Sequence, residues 1–289
     1  MNLDFYNDIL ADAQSLNPVM NIDLSTLNAA QREAVETLDG PLLIYAGAGS
    51  GKTRVLTYRF ANLIAKKGIS NEQILAVTFT NKAAREMKER ISRITGRYIS
   101  TPWVSTFHSI ALRILREHAD LLGYTSSFVV YDTSDSKSVL KKIYKLQGVD
   151  PKIIDPGLVR GTIDKAKNSY LFPDDIRDKE KLGGPTYRII ADMYEGYQKE
   201  LVANNAMDFG DLLCNVVSLF KLEPKVLDKF RSQFQYLMVD EYQDTNQVQY
   251  MFIQMLAKEH KNIAVVGDDD QSIYAFRGAS VDNILNFNK

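Results

Sequence analysis

Short apolar runs rich in β-branched residues alternate along this chain with segments whose apolar positions recur at helical spacing. Leu42-Leu43-Ile44-Tyr45 and Ile74-Leu75-Ala76-Val77-Thr78-Phe79 are near-continuous apolar runs, and Val55 to Lys66 between them carries a helical period. That rhythm predicts an α/β fold, a parallel sheet with helices on both faces. It resumes late, where Tyr236-Leu237-Met238-Val239-Asp240 and Ile263-Ala264-Val265-Val266-Gly267 read as fully buried strands. Each ends in an acidic residue or glycine, the end at which open α/β sheets bind ligands. Between about residues 109 and 205 the pattern changes to amphipathic helices, such as Ser136 to Leu146 and Tyr187 to Val202, broken at Pro151, Pro156, Gly157, Gly183, Gly184 and Pro185. This predicts a mostly helical subdomain inserted into the sheet domain, with segments 1–108, 109–205 and 206–289. The first twenty residues read as a helix and a loose connector.

Composition narrows this picture without changing it. With 289 residues, 45% hydrophobic and 25% charged, the chain is in the range of globular proteins that bury a sizeable core. No apolar run approaches the eighteen or so residues of a membrane span, and Met1-Asn2-Leu3-Asp4-Phe5 lacks the build of a secretory signal. The expected location is the cytoplasm, with no membrane partner. The one cysteine, Cys214, has no disulfide partner within the chain and reads as a small apolar residue inside a helix. A net charge of -1 means that any nucleic-acid surface must be local. Two stretches qualify: residues 82–97 carry six Lys or Arg against two Glu, and residues 137–167 carry eight against three Asp. Solvated helix faces explain such stretches equally well.

The sharpest local signal is Ala46-Gly47-Ala48-Gly49-Ser50-Gly51-Lys52-Thr53, which follows a strand and opens a helical pattern. This is a phosphate-binding loop in its proper context. Glycines let backbone N–H groups turn inward around phosphate oxygens, and the helix N-terminus adds its positive end. Ala48, Gly49, Ser50 and Gly51 line that cradle, Lys52 reaches the β- and γ-phosphates, and the Thr53 hydroxyl is placed for Mg²⁺. Ala46 stands where the usual pattern begins with glycine; the inner glycines are intact.

Such a loop implies ATP or a similar nucleotide and says nothing about hydrolysis. In Val239-Asp240-Glu241-Tyr242-Gln243-Asp244 a buried strand ends in two carboxylates. Asp240 is suited to hold Mg²⁺ through its water, and Glu241 to accept the proton of an attacking water.

The order of motifs resembles that of the superfamily 1 DNA helicases of the UvrD, PcrA and Rep kind, from about Leu27 to Phe287. The resemblance implies a RecA-like sheet and assigns roles. Leu27-Asn28-Ala29-Ala30-Gln31-Arg32-Glu33-Ala34 is similar to the family's Q motif, so Gln31 would read the adenine edge and Arg54 would lie near the base. Thr78-Phe79-Thr80-Asn81-Lys82-Ala83-Ala84 and Ser105-Thr106-Phe107-His108-Ser109 resemble DNA-contacting motifs, which implies DNA roles for Phe79, Thr80, Asn81, Phe107 and His108. Asp208-Phe209-Gly210-Asp211-Leu212-Leu213 resembles the segment where the helical insertion rejoins the motor domain. Residues 266–278 resemble motif III, so Gln271 would contact the γ-phosphate while Tyr274, Phe276 and Arg277 grip DNA. Relatives usually have Trp where Phe276 stands, which implies altered grip. Aromatic rings among basic and amide residues suit a single strand, since stacking contributes about 1–3 kcal/mol per base and tolerates any sequence. Taken without the family, Phe79, Tyr274 and Phe276 fit a core better than a base platform, and His108 fits a buried, hydrogen-bonded histidine.

The implied partners are single-stranded DNA, single-strand/duplex junctions and a second RecA-like domain of the same protein, with 3′ to 5′ movement. The chain stops at Lys289, before anything resembling motifs IV to VI, and Val281 to Lys289 reads as the start of a linker. The expectation is a truncated piece that binds ATP weakly and hydrolyses it slowly. Two other functions stay open. One is the motor of a helicase-nuclease of the RecB or AddA kind, which sequence beyond Lys289 would reveal. The other is a nucleotide-gated DNA-binding module, or a P-loop kinase, which would have little use for Glu241 beside Asp240.

Overall fold

A computed structural model describes residues 21–45, 47, 49–178 and 184–268. Five parallel strands form the central sheet: β1 (Leu42–Tyr45), β2 (Ile74–Thr78), β3 (Val104–Thr106), β6 (Tyr236–Val239) and β7 (Ile263–Gly267), in the order β1-β7-β6-β2-β3. The register pairs Ile44 with Val266 and Val77 with Val239. The near-continuous apolar runs are explained by two covered faces. Leu75, Val77, Leu237, Val239 and Val265 enter one core, while Ile74, Ala76, Tyr236, Met238, Ala264 and Val266 enter the other. Successive residues point to opposite faces, so a strand buried on both sides has no polar position to spare.

The helices supply those cores. α1 (Ala29–Glu36) begins at Asn28, whose side chain accepts from the Gln31 N–H while the Gln31 side chain accepts from Asn28, a reciprocal capping box. α2 (Lys52–Lys67) puts Leu56, Phe60 and Leu63 under the sheet and stops at Gly68, whose left-handed φ of 65° lets its N–H reach the Leu63 and Ile64 carbonyls. The buried Arg59 guanidinium donates to the carbonyls of Ala34, Thr37 and Leu38, and so ties the end of α1 to α2. Burial lowers the Arg59 pKa to about 10. α3 (Asn81–Thr95) packs Met87 and Ile91 on that same face.

On the opposite face lie α4 (Phe107–His118), α9 (Phe209–Leu222), α10 (Pro224–Gln233) and α11 (Gln247–Ala257). Phe220 and Phe252 stack there, with ring centroids 5.9 Å apart. Cys214 is a buried residue of α9. α4 gives Ile110, Ala111, Ile114 and Leu115 to this core, so the chain just past residue 109 still packs on the central sheet.

A separate core forms further on. α5 (Thr133–Gln147), α6 (Pro156–Asn168), α7 (Pro173–Asp178) and α8 (Pro185–Ala203) bury Val139, Ile143, Val159, Ile163, Ile190 and Tyr194 together. A two-stranded parallel sheet, β4 (Val129–Tyr131) with β5 (Ala206–Asp208), stands where the chain enters and leaves this region. Among the described residues no helix is long and apolar enough to cross a membrane.

Candidate active site

The strand order sets the ends of β1, β7 and β6 side by side, and the three chain exits converge there. Lys52 Nζ lies 3.2 Å from Asp268 Oδ2, and Thr53 Oγ1 donates to Asp240 Oδ2 at 2.9 Å. These pairs are separated by 216 and 187 residues, so the sheet alone brings them together. Gly49 and Gly51 have φ of 73° and 86°, a region that favours glycine. Gly51 also has no room to spare, because a Cβ there would come within 3.1 Å of Gln31 Nε2. No side chain caps α2, whose first N–H groups open on the loop.

Asp240 is 4% exposed, and its pKa is pushed up to about 6, by burial first and by the neighbouring Glu241 charge second. The Thr53 hydrogen bond works in the opposite direction. Glu241 occupies left-handed backbone at φ 50°, ψ 47°, a conformation that costs a non-glycine residue about 1–3 kcal/mol and clusters at functional sites. A hydroxyl beside a buried carboxylate is a hard, all-oxygen pair, and the like charges of Asp240 and Glu241 would be relieved by a cation. Among the described residues no three His, Cys, Asp or Glu side chains converge as a cage. The Thr53 hydroxyl and Asp240 carboxylate are oxygen donors that fit Mg²⁺, which takes one or two protein oxygens and completes its shell with water and substrate phosphates.

The remaining nucleotide-side residues flank the loop. Gln31 Nε2 donates to the Ser50 carbonyl at 2.9 Å, so its amide here braces the loop. Arg54 donates to Thr26 Oγ1 at 2.6 Å and lies over the Tyr58 ring. Arg90 of α3 reaches the same mouth, a cavity of about 320 Å³ shared with Gly49, Ser50, Arg54 and Glu241. Sequence reasoning missed Arg90, which looks like one more charge on a polar helix face; only the packing of α3 on α2 shows it.

A second cleft of about 330 Å³ lies where β2 and β3 end, between Phe79, Phe107, His108, Asn168, Phe209 and Asn246. Phe79 and Phe107 meet edge to face at 5.7 Å, and the His108 and Phe209 rings are 5.3 Å apart. Burial lowers the His108 pKa to about 4, so the imidazole is neutral at pH 7. Phe209, with 56% of its surface exposed, was missed as a candidate because its motif marked only the rejoining point. Thr80 accepts from the Ala83 N–H as the cap of α3, and Asn81 is the exposed first residue of that helix.

Lys167 corrects one reading. Counted among the surface charges of residues 137–167, it is fully buried and pairs with Asp208 Oδ2 at 2.7 Å and Asp211 Oδ1 at 2.8 Å. Within residues 82–97, Lys82, Arg85 and Arg90 pair with Glu86 or Glu89 along α3, Arg90 with Glu86 at 3.6 Å. The candidates Ala48, Gln271, Tyr274, Phe276 and Arg277, the helix expected in residues 1–20 and the linker expected from Val281 to Lys289 lie outside the described residues.

A glycine-lined loop, a lysine and a strand-end carboxylate meeting at the edge of a parallel sheet define a P-loop nucleotide-binding fold. Residues 27–289 match the family model of the UvrD/REP helicase N-terminal domain, and the chain belongs to that family. It is 50% identical over 275 residues to the ATP-dependent DNA helicase PcrA of Bacillus subtilis, covering 95% of this chain and 37% of the relative. The PcrA proteins of Staphylococcus aureus and Staphylococcus epidermidis are 48% and 46% identical over 93% of the chain. The chain thus spans little more than a third of the length of these relatives.

Proposed function

We propose that this chain is the ATP-binding and ATP-hydrolysing part of a DNA helicase motor that holds single-stranded DNA and moves 3′ to 5′. The observation that carries the reading is the 2.9 Å contact of Thr53 with Asp240, with Glu241 the next residue. In this reading Lys52 exchanges its Asp268 partner for the β- and γ-phosphate oxygens, and the N-terminal amides of α2 bind the same phosphates. Thr53 and Asp240 hold Mg²⁺, which supplies neutralisation of phosphate charge. Glu241 takes the proton of the water that attacks the γ-phosphorus. The bond from that phosphorus to the bridging oxygen breaks, and ADP leaves with the electron pair. By resemblance Gln31 and Arg54 serve the adenine end and Gln271 the γ-phosphate, while Arg90 lines the mouth of the loop beside Glu241.

The cleft of Phe79, Phe107, His108 and Phe209 is proposed as the grip on single-stranded DNA, with Thr80, Asn81, Tyr274, Phe276 and Arg277 as further contacts. A neutral His108 would contribute by stacking and hydrogen bonding, and the aromatic faces accept any base. The helical region with its own core is proposed as an inserted subdomain. Junctions of single strand with duplex, and a second RecA-like domain, are the proposed partners of the intact motor. Replacing Glu241→Gln tests the catalytic assignment. ATP turnover is expected to fall about 10²–10⁴-fold, the usual contribution of a general base, with nucleotide affinity retained. Unchanged turnover would make the site a binding switch.

A further inference from the structure

Gln243 has no role in the reading so far, yet it is 1% exposed and lies two residues after Glu241. A buried amide persists only when its donors and acceptor are matched. Here Nε2 donates to Glu241 Oε2 at 2.7 Å, and Oε1 accepts the Asp268 backbone N–H at 3.1 Å. The amide cannot be reversed, because an ionised carboxylate only accepts and a backbone N–H only donates. One side chain therefore spans the exits of β6 and β7, 25 residues apart, and the far residue also carries the carboxylate that pairs with Lys52.

We infer that Gln243 is a positioning residue for hydrolysis: it aims the Glu241 carboxylate and ties that aim to the end of β7. The inference rests on the assignment of Glu241 as the base. Glu241 is partly exposed and needs several side-chain torsions fixed before it can meet a water in line with the γ-phosphate. A charge-assisted bond from a buried donor removes that freedom more firmly than a solvent contact does. Glu241 stands in left-handed backbone, and Gln243 binds its carboxylate across the turn that follows. In sequence Asp268 is followed three residues later by Gln271, which the resemblance assigns to the γ-phosphate.

The test uses the intact protein with saturating single-stranded DNA. Gln243→Glu keeps the size and the acceptor for the Asp268 N–H, and exchanges the donor to Glu241 for a carboxylate that repels it. It is expected to lower kcat about 10–100-fold, the cost of misaiming a catalytic group, with the affinity for a fluorescent ATP analogue within threefold of the parent. In a Glu241→Gln background the same change is expected to cost nothing more, because residues acting as one unit are not additive. Gln243→Met, which adds no buried charge, serves if Gln243→Glu does not fold and is expected to behave alike. An undiminished kcat, or a loss that multiplies with that of Glu241→Gln, would overturn the inference. A Glu241→Gln protein with normal turnover would instead remove the base assignment beneath it.

Discussion

Lys52 and Asp268 sit 3.2 Å apart with side chains 8% and 4% exposed, so the phosphate-binding lysine is held by a carboxylate at the end of β7. A triphosphate must compete for that ammonium and approach that negative charge. Asp268→Asn is therefore expected to tighten ATP binding by about tenfold, near 1.4 kcal/mol, with no gain in turnover. Titration of a fluorescent nucleotide into parent and variant measures this. Unchanged or weaker affinity would show that Asp268 does not compete.

The Lys167 ion pairs join the two cores at the base of α6 and α9. Burial alone would lower the lysine pKa, but the Asp208 and Asp211 carboxylates outweigh it and hold the ammonium charged. Tyr197 donates to Asp208 at 2.9 Å, and Cys214 Sγ lies 3.1 Å from the Lys167 carbonyl. Lys167→Met leaves two buried carboxylates without their cation, and a broken pair of this kind costs about 3–5 kcal/mol. Denaturant unfolding should show that loss; a change below about 1 kcal/mol would mean that the pair contributes little.

His108 makes stability depend on pH in a defined direction. Its folded-state pKa, near 4, lies below the ordinary 6.5, so between those values the unfolded chain binds more protons and stability falls as pH falls. The contribution is at most about 3.4 kcal/mol, at about 1.36 kcal/mol for each step of one in pH between those values. Asp211 and Asp240, both raised to about 6 by burial, act in the opposite sense between pH 6 and 3.8. The measurement is thus a difference: parent minus His108→Gln, unfolded at pH 7 and at pH 4.5. The parent should lose more stability than the variant on acidification.

The sheet was legible because β2, β6 and β7 are buried on both faces, and such strands leave long apolar runs. Their ends were less so. The expected strand through Phe79 stops at Thr78, whose hydroxyl donates to the Thr80 carbonyl and turns the chain into α3. α2 starts three residues before Val55, since Gly51 in left-handed backbone places Lys52 and Thr53 on the first helical turn. α5 starts at Thr133 instead of Ser136 because Asp132 and Asp135 cap it reciprocally. The loop lysine and the strand-end acids were legible by residue type. Phe209, Arg90, Asp268 and Gln243 were not singled out, because their importance lies in pairings that only the strand order creates.

The motor reading requires the loop after β1 and the acid after β6 to serve one Mg²⁺-bound triphosphate. The most direct test is ATP-analogue binding with and without Mg²⁺, in the parent chain and in Lys52→Ala and Asp240→Asn. The expected result is binding that depends on Mg²⁺ in the parent, is weakened at least about tenfold by Lys52→Ala, and loses its Mg²⁺ dependence in Asp240→Asn. Nucleotide binding indifferent to both substitutions would contradict the shared site and the motor built on it.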